Sequence, residues 1–153
     1  MRWLAISAAL GLVAIAILAS RSKSETPKQT CTDAKTQVVP EWARTGFSDP
    51  EPKMPLVLGK DQKIVAIVFG SPLYAPPKED RSNKILWVSR APQDGISDLK
   101  IRATRASDGT VANRSVPGGP GPSLIDLPDG CWKLQLSWSG HTDELVLRYR
   151  KPD

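Results

Sequence analysis

The sequence predicts an all-β protein, an immunoglobulin-like antiparallel β-sandwich, and three observations carry that expectation. From Asp129 to Gly140 the side chains alternate between two chemistries, with Trp132, Leu134, Leu136 and Trp138 interleaved by Cys131, Lys133, Gln135 and Ser137. Successive side chains of a strand point to opposite faces, so this stretch is a strand with a core on one side and water on the other. No segment after residue 50 has the apolar spacing of an amphipathic helix. Instead, about seven short apolar stretches recur between turn residues, the rhythm of two packed antiparallel sheets. A small closed β-barrel satisfies the same pattern and is the alternative.

The chain opens with Met1-Arg2 and an uncharged apolar run from Trp3 to Ala19. A basic start, an apolar centre and small residues at its end define a secretory signal peptide. A run of this length also meets the lower limit of about 17 residues for a membrane-spanning helix. Residues 1–19 are therefore expected to be a signal peptide or an N-terminal membrane anchor. Arg21, Lys23 and Lys28 follow the run and argue against export, because basic residues favour the cytoplasmic side, although the rule weakens for long translocated domains. Ser20 to Val39 has too little apolar surface to offset the entropy of ordering it and is expected to be a flexible polar tether over residues 20–39. Residues 40–153 suffice for one domain with its own core.

The whole chain carries +5; removing residues 1–19 takes away Arg2 and no acid, leaving 20 Lys+Arg against 16 Asp+Glu, or +4. The basic residues are scattered along the sequence without interleaved aromatic residues, so nucleic acid is not an expected partner. Mild attraction to anionic lipid or to an envelope polymer is compatible with this charge.

Within the domain, Pro40 to Phe47 is expected to form a short helical turn stopped by Gly46, carrying Trp42 and Phe47 as anchors, and Asp49 to Pro55 a proline-rich loop. Lys63 to Phe69 is a continuous run of strand formers, which predicts a strand buried on both faces. Lys84 to Arg90 is again apolar on both faces, so something must cover the outer side of this pair. Trp42 and Phe47 are the expected cover. Leu99, Ile101 and Ala103 alternate with Lys100, Arg102 and Thr104, and Asp108-Gly109 predicts a two-residue hairpin turn into Thr110 to Val116. The Pro- and Gly-rich stretch from Val116 to Ser123 predicts a loop. Leu145, Leu147 and Tyr149 alternate and close a C-terminal hairpin with the Trp132 strand.

Two cysteines in an exported chain allow one intramolecular pairing. Alternation places Cys131 on the face away from Trp132 and Leu134, reachable from outside, and Cys31 lies in the tether ahead of the Trp42 anchor. A Cys31–Cys131 disulfide is the favoured expectation; a buried free Cys131 with an incidental Cys31 is the other.

Leu127-Pro128-Asp129-Gly130-Cys131-Trp132 resembles the corner of immunoglobulin-like domains where an aromatic residue follows a turn into a core strand, with Trp132 in place of the usual tyrosine. Whether the corner hydrogen bond survives that replacement is left open by the sequence. At Trp42-Ala43-Arg44 with Gly46-Phe47, at Asp80 to Trp87, and at Gly130-Cys131-Trp132 with Trp138-Ser139-Gly140, the chain resembles small uncharacterised exported proteins of Gram-positive bacteria. The resemblance spans residues 40 to 150 and implies an extracytoplasmic β-domain, with no activity and no functional residue to carry over.

Reactive constellations are sparse. His141 is the single histidine, with Ser139 and Asp143 nearby, but no Gly-x-Ser-x-Gly elbow accompanies them. One histidine and two distant cysteines do not make a transition-metal set, and neither metal nor cofactor is expected. The Gly118–Gly121 loop lacks the Lys-Ser/Thr and the helix of a phosphate cradle. Asp80, Arg81, Asn83 and Lys84 form a polar cluster that could meet an anionic ligand or a partner, or could be a charged turn ahead of a buried strand. The expected function is a non-catalytic extracytoplasmic binding or interaction module of the bacterial envelope, membrane-tethered or secreted, whose partner is an unidentified protein or envelope ligand. The alternative is a secreted or envelope-bound hydrolase with an unrecognised site.

Overall fold

The computed structural model describes residues 30–153, so the apolar segment over residues 1–19 and the first part of the tether lie outside the described residues. Ten strands follow: β1 Lys35–Val38, β2 Lys53–Leu58, β3 Ile64–Val68, β4 Leu73–Tyr74, β5 Lys84–Ser89, β6 Leu99–Arg105, β7 Val111–Val116, β8 Pro122–Leu124, β9 Gly130–Trp138 and β10 His141–Arg150. They form two five-stranded sheets, sheet A in the order β1-β2-β3-β5-β8 and sheet B in the order β4-β10-β9-β6-β7. Neighbours are antiparallel except for the short β4–β10 pair. The result is the predicted sandwich. Sheet B curls into a half-barrel, but the two sheets do not join, which rules out the closed barrel.

The main core lies between the sheets. The alternating faces predicted for β6, β9 and β10 meet there: Trp132, Leu134, Leu136 and Trp138 are buried with Leu145, Leu147 and Tyr149, against Ile64, Ala66, Ile85 and Trp87 of sheet A. Every residue of β3 is inaccessible to solvent, because the strand has a second, smaller core on its other side. Val65, Ile67 and Leu56 pack there under Val39 and Ala43, with Trp42 and Phe47 against them. The cover is a 3-10 turn, Glu41–Ala43, opened by Ala43 N–H donating to Pro40 O at 2.8 Å. Arg44 fastens it by donating to Val39 O and Pro50 O, both at 2.8 Å. The unbalanced apolar surface of β3 and β5 thus receives the predicted lid, since leaving it in water would sacrifice about 25 cal/mol for each Å².

Four expectations are corrected. Lys35–Val38, placed in the tether, is β1: its side chains are exposed and it is held by pairing with β2. Lys53–Leu58 is β2 although Asp49 to Pro55 looked like loop; Pro55 sits opposite Thr36 and outside the β2–β3 ladder, which begins at Leu56, so its missing N–H costs that ladder nothing. The β6–β7 turn is the four-residue loop 106–109 rather than a two-residue one, because Arg105 N–H already donates to Thr110 O at 2.8 Å and Gly109 N–H to Arg105 O at 2.9 Å. Pro122 belongs to β8, on the edge of sheet A, where proline is tolerated.

The crossing from sheet A to sheet B through Ile125–Asp129 is clamped from several sides. Trp132 Nε1 donates to Pro128 O at 2.7 Å, so the indole supplies the corner hydrogen bond that the sequence left open. Tyr149 Oη donates to Ile125 O at 2.6 Å, and Arg114 donates twice to Asp126 O at 3.0 and 2.7 Å. Burial, reinforced by the Asp126 charge, raises the Tyr149 phenol above its usual pKa and keeps it a neutral donor.

Candidate anion-binding face of sheet B

Directly opposed residues of an antiparallel pair share a face, so the register across β7, β6, β9 and β10 fixes what sheet B shows to solvent. One row reads Ser115, Lys100, Ser137, Thr142. The next reads Asn113, Arg102, Gln135, Glu144, and the third Val111, Thr104, Lys133, Val146. Arg148, opposite Cys131, follows at the end. The face is polar, rich in hydrogen-bond donors and predominantly cationic.

One end of it is walled by the turn between β2 and β3, where Lys60 and Asp61 complete a groove of about 520 Å³ over Lys100, Arg102, Gln135 and Ser137. Asp143 builds that wall. Its side chain is buried, and its carboxylate accepts N–H groups of Asp61 and Lys63, each at 2.9 Å, and of Glu144 at 2.8 Å. Gly59 is required at the contact: a Cβ there would lie 2.1 Å from Asp143 Oδ2. Alternation then sends Glu144 outward, between Lys133 Nζ at 3.0 Å and Lys60 Nζ at 3.3 Å. The hydrogen bond from Lys133, aided by Lys60 and opposed by partial burial, holds the Glu144 carboxyl below its usual pKa. The one carboxylate in the middle of the face is therefore neutralised. Among the described residues, Lys100, Arg102 and Arg148 take part in no ion pair.

The predicted disulfide is present and joins the same face. Cys31 and Cys131 are bridged with their Cα atoms 5.9 Å apart. Beyond it, Asp33 pairs with Arg150 and Ala34 O accepts Ser71 Oγ–H at 3.0 Å, leading the chain across to β1.

The Asp80–Lys84 cluster lies elsewhere and does not act as one donor set. Asn83 is buried: its Oδ1 accepts Tyr74 N–H at 3.0 Å, and its Nδ2 donates to Tyr74 O at 2.7 Å and Asp126 Oδ1 at 2.8 Å. Arg81 donates to Ser71 O at 3.3 Å and stacks on Tyr74, while Lys84 lies over the Phe69 ring. Asp80 lines a shallow hollow with Lys78, Glu79 and Asp153.

The remaining chemistry-bearing residues have structural partners. Ser139 Oγ accepts Asp94 N–H at 3.1 Å, and His141 tilts against Trp138; no hydrogen bond links His141 to Ser139 or to Asp143 among the described residues. Gly118 N–H is taken by Asp98 Oδ1 at 3.0 Å, so a side-chain carboxylate already occupies that donor of the glycine-rich loop. No cluster of three metal-ligating side chains occurs among the described residues, and no helix among them is long and apolar enough to cross a membrane.

Sequence reasoning missed Lys100, Arg102, Lys133 and Arg148 as a group. The available signal was their position on the polar side of three alternating strands, but only the register between those strands brings them together. Comparison with family models, with curated proteins and with solved structures returns no match.

Proposed function

We propose that this protein is a non-catalytic extracytoplasmic binding module whose contact surface is the outer face of sheet B and whose ligand is anionic. The observation that carries the reading is the pair Lys100 and Arg102, neighbours on the outer face of β6, exposed in an open groove beside Gln135 and Ser137, with no ion-pair partner among the described residues. A face that leaves cations unpaired while buffering its own Glu144 favours a negatively charged ligand. The disulfide supports an oxidising, extracytoplasmic setting, as do the apolar N-terminal run and the resemblance to small exported proteins.

The test is titration with linear polyphosphate as a generic anionic probe. The account predicts binding that weakens as salt screens the face. It also predicts a loss of at least about tenfold in the Lys100→Ala/Arg102→Ala protein, on the scale of lost charge-assisted contacts. Unchanged affinity in that variant, or an equal loss in a Lys53→Ala/Lys84→Ala control on sheet A, would overturn the assignment.

A further inference from the structure

The disulfide and the basic face meet at one place. Cys131 and Arg148 are opposed in the β9–β10 ladder, so the bridge to Cys31 stands on the outer face of sheet B, next to one of its unpaired cations. From the bridge the chain passes Asp33, paired with Arg150, and Ala34, bonded to Ser71, before it becomes β1 at the edge of the opposite sheet. The chain therefore enters the domain on the cationic side. Ahead of Cys31 only residues 20–30 separate that entry point from the apolar run ending at Ala19. However they are arranged, these residues span at most about 40 Å.

We propose that, in the protein anchored by its apolar N-terminal run, the outer face of sheet B rests on the anionic lipid surface of the same bilayer. This names the partner of the face described above and rests on its reading as an anion site. Several features fit a lipid surface. The basic residues are spread over three strands around an open groove rather than converging on one enclosed anion position. Glu144, the carboxylate within the face, is held between Lys60 and Lys133, and Asp61 at the groove wall lies 3.8 Å from Lys63 Nζ. The opposite side of the domain, the outer face of sheet A, is largely occupied by its own apolar cover and points away. Attraction to a charged membrane fades within a Debye length of about 8 Å, so a modest cationic face is effective only if something keeps it close. The bridge does so: it fixes the anchored end of the chain to the face itself instead of leaving that end to run on to β1. Each lysine or arginine at an anionic surface then raises the population of the docked orientation by about fivefold. A free polymer would meet the same cations but would give no reason for the chain to enter on their side.

The experiment places the full chain in vesicles through its N-terminal run and measures acylation of lysine amines by peptide mass spectrometry. Lys100 and Lys133 report on sheet B; Lys53 and Lys84, exposed on sheet A, are the reference. Phosphatidylglycerol-containing vesicles should protect Lys100 and Lys133 several-fold relative to pure phosphatidylcholine vesicles, with Lys53 and Lys84 unchanged, and raised salt should abolish the difference. An Arg102→Glu/Arg148→Glu protein, checked for an unaltered unfolding transition, should lose the protection. Equal labelling of Lys100 in both vesicle types overturns the proposal. Adding polyphosphate to the phosphatidylcholine vesicles separates the two levels. Protection by polyphosphate without protection by phosphatidylglycerol leaves the anion face standing and removes the lipid partner, whereas protection by neither removes both.

Discussion

The two outer faces of the sandwich are treated in opposite ways. Outside sheet A, Val65, Ile67 and Leu56 are apolar, and the chain spends Val39 to Phe47 sealing them. Outside sheet B, Lys100, Arg102, Lys133 and Gln135 are left bare, and the turn that approaches them, at Lys60 and Asp61, walls a groove instead of closing it. A sheet needs one apolar face to fold; what it does with the other is free to serve something else. In sheet A the second face adds to stability. In sheet B the second face, apart from the Cys31–Cys131 bridge at one end, is left polar and exposed. The contrast is not complete, because Phe69 and Leu124 stay 46% and 62% exposed at the β8 end of sheet A, with Lys84 over the Phe69 ring.

The largest expected effect breaks the link between the chain entry and sheet B. Replacing both cysteines, Cys31→Ser with Cys131→Ser, removes a bridge spanning 100 residues of sequence and should lower stability by about 4 kcal/mol. Urea unfolding of the oxidised and serine forms measures it, and coincident transitions would mean that the bridge adds nothing to the domain.

Next comes the lid of sheet A. Trp42→Ala should cost about 3 kcal/mol, the scale of aromatic truncations, and should expose the surface of β3 and β5. Retained stability with self-association of both forms would instead make that face a partner surface.

A smaller effect is expected at Glu144. Its carboxyl is held below its usual value, so the pairing with Lys133 and Lys60 is fully present above the ordinary carboxylate range and is lost as pH falls through the lower folded value. Replacing Lys133 with Met should move the Glu144 midpoint upward in a carbon-detected NMR titration, and an unmoved midpoint would remove Lys133 as the cause. The associated stability change is at most about 1 kcal/mol for so accessible a pair. Smallest of all is the stability cost of Lys100→Ala with Arg102→Ala, within about 0.5 kcal/mol, because neither side chain has an ion-pair partner to lose among the described residues.

Most of the core was legible in the sequence because burial on one face leaves a period of two, as in Trp132, Leu134, Leu136 and Trp138. Even the lid was legible, since a strand as apolar as Ile64–Val68 demands cover on both sides. β1 was not: all four of its residues are exposed, and a strand held at the sheet edge by backbone pairing has no hydropathy signature. Asn83 looked like a surface donor in a polar stretch, yet it is a buried brace between Tyr74 and Asp126. The basic face was hidden for a different reason. Lys100, Lys133 and Arg148 are far apart in sequence and become neighbours only through strand register, which no local pattern encodes.

The central claim is that sheet B, not sheet A, carries the contact surface, and backbone amide NMR tests it most directly. Stepwise addition of polyphosphate to the isotope-labelled, disulfide-intact protein should shift the amides around Lys100, Arg102, Gln135, Ser137 and Glu144, and raised salt should reverse the shifts. Shifts confined to Phe69, Lys84 and Leu124 at the incompletely sealed end of sheet A, with the β6 and β9 amides unmoved, would contradict it.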